Sequence, residues 1–240
     1  MTHLFAAAIG IEGIPIPYSP RLDDGILLLL LFCFLLSAYA LARSQRLLVQ
    51  LAKNFLLNRE RISIFANFTS ADMRYQVVLI LQTCLLCGLC LFLYFIRARP
   101  ALIADAPPYR LLFFYVAACA TYLLMKWLVY TLLGWIFFDK AKIAHWMESY
   151  STLLYYLGLV LFPLALMLIY FNLPLQTAAI IGLSVLILMK ILIFYKWLKL
   201  FCQSWYGCLL LIVYFCALEM IPYLMIYQGL LQLNDYLILK

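Results

Sequence analysis

The stretch Tyr214-Phe215-Cys216-Ala217-Leu218-Glu219-Met220-Ile221-Pro222-Tyr223-Leu224-Met225-Ile226-Tyr227 places one carboxylate and one proline inside a long apolar run. A charge at the centre of a transmembrane helix costs roughly 2.5–3.5 kcal/mol, so such residues usually face the interior of a bundle and pair. Proline cannot donate a hydrogen bond to the carbonyl four residues before it, so Pro222 leaves the carbonyl of Leu218 free beside Glu219. The stretch therefore predicts a buried charge in a kinked helix.

The composition excludes a soluble globular domain. Of the 240 residues, 68% are hydrophobic and 11% are charged, whereas soluble domains have about 45–50% apolar and 25% charged residues. Helices and closed barrels are the structures that satisfy every backbone hydrogen bond in lipid. The long unbroken apolar runs differ from the alternating strands of a barrel. We therefore predict an all-α, polytopic membrane helix bundle.

The apolar runs set the number of helices that cross the membrane. A crossing helix needs about 17–25 predominantly apolar residues, and we predict about six of them within a membrane domain of residues 26–231. The predicted spans are 26–42, 77–96, 111–138, 151–171, 177–195 and 205–231. Residues 1–25 form a separate N-terminal segment.

A basic segment, residues 43–76, separates the first two spans. Its leucine and phenylalanine residues recur at helical spacing opposite basic side chains, which predicts an amphipathic helix lying in the membrane interface. Candidate contacts to anionic lipid headgroups or an acidic partner are Arg43, Arg46, Lys53, Arg59 and Arg61. Because lysine and arginine concentrate on the cytoplasmic side, we expect this segment to be cytoplasmic and both termini to be extracytoplasmic.

No motif in the sequence indicates catalysis. The net charge of +7 does not indicate nucleic-acid binding, because the basic residues mostly flank apolar runs. Cys84, Cys87 and Cys90 have the spacing of a metal-binding run, but they lie among leucines, where small residues let helices approach closely. His145 and Glu148 are one helical turn apart without a metalloprotease motif. We expect no enzymatic activity, no cofactor and no bound metal.

Glu219, Lys126 and Lys190 are the charged residues inside the predicted spans. Lys190 lies less than two turns from Lys196, so we expect its ammonium to reach the cytoplasmic interface. Lys126 has no such route to the interface, so we predict that it forms an ion pair with Glu219. The alternative is that Glu219 is protonated and hydrogen-bonded within the bundle. The pair either fixes the helix register or forms a transport or proton-relay site. Pro163 predicts a second kink.

Four segments resemble those of a family of uncharacterised bacterial multi-pass inner-membrane proteins that share a domain of unknown function. They are Asn58-Arg59-Glu60-Arg61-Ile62-Ser63-Ile64-Phe65, Gly134-Trp135-Ile136-Phe137, Leu161-Phe162-Pro163-Leu164 and Tyr214-Phe215-Cys216-Ala217-Leu218-Glu219-Met220-Ile221-Pro222. The specific element is Leu-Glu-x-Ile-Pro in the last segment. The resemblance covers roughly residues 25–231 and implies an inner-membrane location in a cell with two membranes. It implies no activity.

Two functional hypotheses follow. The short loops, the absence of cofactor motifs and the amphipathic segment favour a non-enzymatic subunit or assembly factor of a cell-envelope complex. The expected partners are the lipid bilayer with its anionic headgroups and a membrane-protein partner or a second copy of the chain. The alternative is a small transporter or proton-coupled channel that uses Glu219 and Lys126.

Overall fold

The structure is a computed structural model that describes residues 18–57, 70–100, 102, 107–137, 140–171, 173–201, 217, 219 and 221–238. This part of the chain contains six α-helices, a short 3₁₀ helix and no strand. The helices are α1 (Asp24–Leu57), α2 (Ser70–Ala98), α3 (Pro108–Phe137), α4 (Lys140–Tyr170), α5 (Leu175–Phe201) and α6 (Ile221–Ile238). The prediction of an all-α fold is confirmed.

Five of the described helices are long and apolar enough to cross a membrane. The apolar stretches are Asp24–Ala42, Gln76–Ala98, Pro108–Leu132, Trp146–Tyr170 and Leu175–Lys199. At 1.5 Å per residue, even the shortest of them approaches the roughly 30 Å of a hydrocarbon core. The predicted sixth span overlaps α6, and its residues 205–216, 218 and 220 lie outside the described residues.

Two helices extend beyond the predicted spans. The helix α1 continues from the first span to Leu57, so the predicted amphipathic helix of the basic segment is continuous with that span and is not a separate helix. Similarly, α4 begins at Lys140, before the predicted start of the fourth span at residue 151. Both differences have one cause: neither stretch contains a proline or glycine that would end the helix, and charged residues alone do not break helices.

The helices α2 and α4 form the centre of the bundle. The helix α2 contacts α1, α3, α4 and α5, and α4 contacts α1, α3 and α5, whereas α6 packs against α3. The helices α2 and α3 approach each other closely at Gly88, where an added Cβ would lie 2.7 Å from the Cα of Val116. Such contacts require a residue without a side chain, which agrees with the small-residue packing predicted around Cys84 and Cys87.

The bundle has two ends, which we name after Pro108 and Lys140. At the Pro108 end, where α2 ends and α3 begins, Arg97 donates hydrogen bonds to the backbone carbonyls of Leu168 and Leu173. At the same end Arg99 pairs with Asp235 of α6. The opposite, Lys140 end is where α3 ends and α4 begins, and α5 ends there too. The candidate site lies between the two ends.

The start of α1 is fixed at the Pro108 end by Asp23. Its carboxylate accepts hydrogen bonds from the backbone N–H of Gly25 at 2.9 Å and from the hydroxyls of Tyr18 at 2.5 Å and Tyr109 at 2.6 Å. A carboxylate at a helix N-terminus satisfies an otherwise unpaired N–H and interacts favourably with the helix dipole. Asp23 therefore ties α1 to the beginning of α3.

Candidate functional site

The candidate site is centred on Glu219, whose side chain has no exposed surface. Its Oε2 atom contacts the Nζ atoms of both Lys126 from α3 and Lys190 from α5. Its Oε1 atom accepts a hydrogen bond from the hydroxyl of Tyr130, also on α3. Both carboxylate oxygens therefore have partners, as a buried charge requires. We call Glu219, Lys126, Lys190 and Tyr130 the charge cluster.

The two lysines differ in their surroundings. The side chain of Lys126 is 5% exposed, and that of Lys190 is 18% exposed. The ammonium of Lys126 lies 5.3, 5.8 and 5.7 Å from the ring centroids of Tyr122, Tyr130 and Tyr150, distances at which aromatic rings attract a cation. Lys126 is thus enclosed by rings, whereas Lys190 is the more accessible cation of the cluster.

Aromatic side chains close the Lys140 side of the charge cluster. The Tyr130 ring centroid lies 5.6 Å from those of Trp146 and Tyr150 and 6.4 Å from that of Trp197. The Trp146 and Trp197 rings are 5.3 Å apart in an edge-to-face arrangement. All four residues are buried. Packed rings of this kind leave little room for water, so this aromatic cluster separates the charges from the Lys140 end.

A cavity lies on the other side of the charge cluster, towards the Pro108 end. Its volume is about 160 Å³, and its lining is largely apolar. Lys190 is the charged residue among the described lining residues, which also include Cys87, Cys119 and Tyr122. Cys119 and Tyr122 precede Lys126 along α3, on the opposite side from Tyr130. The cluster therefore borders an open space on one side and packed rings on the other.

The net charge of the cluster follows from its members. With both lysines and Glu219 ionised, two positive charges face one negative charge, which leaves a surplus of one positive charge in a nearly dry interior. With one lysine neutral, the cluster carries no net charge. These states differ by one proton, and in a medium of low polarity an unbalanced charge is costly. The arrangement can therefore hold and release a proton or attract an anion.

The structure brings Lys126 and Glu219 together, as the sequence predicts. The prediction for Lys190 was wrong: its ammonium pairs with Glu219 instead of reaching the interface. Lys190 lies less than two turns from Lys196 at the predicted interface, but the buried carboxylate of Glu219 is a closer partner of opposite charge for its ammonium. Whether the cluster has a function beyond packing stays a prediction.

The two predicted kink prolines occupy different positions. Pro163 lies inside α4, whereas Pro222 is the second residue of α6. The backbone at Ala217 and Glu219 is π-helical, and π turns often occur at functional positions. Glu219 therefore lies where the chain changes from a wider to a regular helical turn.

The predicted basic contacts cannot be placed in the same detail. Arg43, Arg46 and Lys53 belong to α1, but the structure describes only their backbone, and Arg59 and Arg61 lie outside the described residues. His145 is likewise described only as part of the backbone of α4. Within the described residues, no group of three or more histidine, cysteine, aspartate or glutamate side chains could hold a metal ion.

The sequence reasoning missed the tyrosines of the site. Tyr122, Lys126 and Tyr130 are spaced by four residues, which places them on one face of a helix, and this spacing could have associated the two tyrosines with the lysine. Tyr150 carried no comparable signal, because its contact with Lys126 depends on how α4 packs against α3.

Comparison with known protein families gives one match. The sequence pattern of the family described as "Domain of unknown function (DUF4271)" matches residues 26–230. The chain belongs to the DUF4271 family. The resemblance to an uncharacterised domain family is thereby confirmed. All members of the charge cluster lie within the matched residues of the DUF4271 domain.

No curated protein and no solved structure is detectably similar to the chain. Membership of the DUF4271 family assigns no reaction, substrate or partner. Any functional proposal for this DUF4271 protein therefore depends on the charge cluster and its surroundings.

Proposed function

We propose that the protein moves protons across a membrane, as a small transporter or proton-coupled channel built on the charge cluster. The observation that carries the proposal is that Lys126 and Lys190 share the single carboxylate of Glu219. A purely structural pair needs one cation for one anion. The second lysine adds a desolvation cost without being needed for charge balance, and intramembrane ionisable groups of this kind often mark proton pathways.

The two protonation states of the cluster define the proposed mechanism. A proton taken up by a neutral lysine raises the cluster charge from zero to one, and its loss restores neutrality. A proton would reach the cluster at Lys190, because Lys190 lines the cavity, whereas the ammonium of Lys126 is enclosed by tyrosine rings. Tyr130 holds the carboxylate in place by its hydrogen bond to Oε1.

The surroundings of the charge cluster make it more accessible to a proton from the Pro108 end than from the Lys140 end. The cavity extends from the cluster towards the Pro108 end, and the aromatic cluster blocks the route towards the Lys140 end. A transporter exposes its site to one side of the membrane at a time, so one closed side is required in each state. Rearrangement of the Tyr130, Trp146, Tyr150 and Trp197 rings would be the step that admits a proton from the Lys140 end.

Proton flux into liposomes tests the proposal. The purified full chain is reconstituted with a trapped pH-sensitive dye, and a membrane potential is imposed without any added solute. We expect wild-type protein to acidify the lumen faster than protein-free liposomes, and Glu219→Gln combined with Lys126→Met to abolish the difference. Asp235→Asn is the matched control, since Asp235 is an exposed acid. Equal fluxes with and without wild-type protein would contradict the proposal.

A subunit or assembly-factor role in a cell-envelope complex is the second candidate. The observation in its favour is the position of α5, of which few side chains are buried within the described bundle. On this helix Gly182 has no described atom within 4 Å of where a Cβ would lie, so another transmembrane helix could approach its backbone closely. Affinity purification in mild detergent tests this role: recovery of the chain alone and monomeric would contradict it.

For location, we propose the inner membrane of a bacterial cell with two membranes, with both termini outside the cytoplasm. The Lys140 end carries Lys140, Lys142 and Lys199, and by the positive-inside rule this supports a cytoplasmic location for that end. Arg97 and Arg99 at the opposite end run against the rule. They have structural partners there, namely the backbone carbonyls of α4 and the following turn, and Asp235. Reporter fusions at both termini test this orientation.

A further inference from the structure

We propose that the cavity beside Lys190 binds an amphipathic acid, a molecule with a hydrocarbon body and a single anionic group. The hydrocarbon would occupy the cavity, and the anionic group would contact the ammonium of Lys190. This inference rests on the proposed function, because it names the class of molecule whose movement would accompany that of the proton.

The lining of the cavity selects for an apolar body. Its described walls come mainly from leucine, tyrosine, cysteine and isoleucine side chains of α2, α3, α4, α5 and α6. The hydroxyl of Thr83 is within hydrogen-bonding distance of the carbonyls of Leu79 and Leu154, at 2.8 and 3.0 Å, and is therefore engaged. Sites of this composition bind hydrocarbon groups and use a few polar atoms to orient them.

The charge balance selects for one anionic group. The fully ionised cluster has a surplus of one positive charge, and a single anion beside it restores neutrality. Lys190 is the lysine positioned to meet that anion, since it lines the cavity and its side chain is 18% exposed, against 5% for Lys126. A neutral alcohol would leave the surplus uncompensated, and a cation would increase it.

The volume of the cavity and the exposure of its α6 wall indicate how the ligand enters. A dry cavity of about 150 Å³ holds one benzene molecule, so the 160 Å³ here accommodates a short hydrocarbon segment. Tyr223 and Tyr227 of α6 line the cavity and are 39% and 41% exposed. Exposed residues on an apolar helix face lipid, so a longer chain would pass between these tyrosines into the bilayer.

Binding of the anion and of the proton are linked. An anion favours the state with both lysines charged, so anion affinity should rise as the cluster gains its proton. By the same linkage, a bound anion should raise the affinity of the cluster for the proton. The titratable groups that contact the cluster or line the cavity are Cys84 and Cys87 of α2, Cys119, Tyr122, Lys126 and Tyr130 of α3, Tyr150 of α4, Lys190 of α5, and Glu219 with Tyr223 and Tyr227 of the last segment.

Thermal unfolding of the purified full chain in mild detergent tests the inference, because a ligand that binds the folded state raises the midpoint with its concentration. The probes are decanoate, decyl phosphate, decanol and inorganic phosphate. We expect decanoate or decyl phosphate to bind at least about tenfold more tightly than decanol, and inorganic phosphate to cause no shift. The two acids distinguish a carboxylate ligand from a phosphate headgroup.

Substitutions of Lys190 test whether this residue causes the preference for the acid over the alcohol. The Lys190→Met protein should bind acid and alcohol equally. Its fold should be retained, because the Lys126–Glu219 pair remains charge-balanced. Lys190→Arg should keep the preference. Lys199→Met is the matched control on the same helix, since Lys199 is exposed and outside the described cavity lining. Equal binding of acid and alcohol by wild-type protein, or loss of the preference in Lys199→Met, would overturn the inference.

The binding test and the proton-flux test fail independently. Acid binding in detergent without flux into liposomes would contradict the proposed function and leave the binding site supported. Flux without acid binding would support the proposed function and overturn the site.

Discussion

Lys126 on α3 and Lys190 on α5 contact the same oxygen atom, Oε2 of Glu219. One acid thereby joins two helices and the last segment of the chain. The three groups are not equivalent, because removing the acid leaves two buried cations, whereas removing one lysine leaves a balanced pair. This asymmetry distinguishes the observed cluster from a simple ion pair between Lys126 and Glu219.

The first prediction ranks the three residues by their effect on stability. Glu219→Gln should lower the free energy of unfolding by about 3–5 kcal/mol, because it leaves buried charges without a counterion. Lys126→Met should cost less, since Lys190 still pairs with Glu219. Lys190→Met should be neutral or stabilising. Denaturant titration of the purified protein in mild detergent measures all three.

Two comparisons make this ranking decisive. Combining Glu219→Gln with Lys126→Met should destabilise less than the sum of the two single changes, because the partners in one network are coupled. Asp235→Asn removes an acid whose ion pair is exposed and should change stability by less than about 1 kcal/mol. If Lys190→Met proved as damaging as Glu219→Gln, the surplus-charge interpretation would be wrong.

The second prediction concerns the contact between α2 and α3. Gly88→Ala should lower the free energy of unfolding by about 1–3 kcal/mol, because the new Cβ would lie 2.7 Å from the backbone of Val116 and force the helices apart. Gly182→Ala is the matched control, with no described atom within 4 Å. It should be neutral or stabilising by up to about 1 kcal/mol, the gain in helix propensity. Equal effects of the two changes would disprove a close contact at Gly88.

The fold class was predictable because it depends on composition alone. A chain that is 68% hydrophobic must bury or solvate its apolar surface in lipid, and helices are what long apolar runs form there. The helix ends were less predictable. Charged residues mark where a chain leaves the membrane, but a helix ends where its backbone hydrogen bonds end, so α1 and α4 extend beyond the predicted spans over residues 43–57 and 140–150.

The candidate site was predictable only in part. Burial of Glu219 and Lys126 followed from the cost of a charge in an apolar run. The prediction for Lys190 was wrong because its ammonium had two possible destinations, and distance along its own helix does not reveal that α5 brings Lys190 to Glu219. The cavity and the contact of Tyr150 with Lys126 depend on how the helices pack, which the spacing of residues along one helix does not reveal.

The third prediction concerns pH and the beginning of α1. Burial opposes ionisation of Asp23, but hydrogen bonds from Tyr109 and Tyr18, and from the backbone N–H groups of Gly25 and Ile26, hold its pKa below the ordinary value of 3.8. A carboxyl with a lowered pKa stabilises the fold above its unfolded-state pKa and loses that contribution as the pH falls through the folded-state pKa. The thermal midpoint should therefore decrease below about pH 3.8.

Asp23→Asn isolates this contribution. The variant should have a lower midpoint at pH 7 and a smaller decrease on acidification, whereas Asp24→Asn, one residue later and without these tyrosine contacts, should retain the wild-type profile. Thermal unfolding followed by tryptophan fluorescence between pH 3 and pH 7 measures the difference. Identical pH profiles for Asp23→Asn and wild-type protein would exclude Asp23 as the source.

The last prediction separates the hydroxyl of Tyr130 from its ring. Tyr130→Phe removes the hydrogen bond to Oε1 of Glu219 and keeps the ring beside Lys126 and Trp146. A hydrogen bond to a charged group contributes about 1.5–3 kcal/mol, so the variant should lose stability in that range. Tyr122→Phe is the matched control, because the Tyr122 ring also faces Lys126 but its hydroxyl does not bond to Glu219.

In the liposome assay, a carboxylate freed from Tyr130 should hold both lysine protons more strongly, so proton flux should fall in Tyr130→Phe and remain unchanged in Tyr122→Phe. Equal stability and flux in the two variants would show that Tyr130 contributes only its ring.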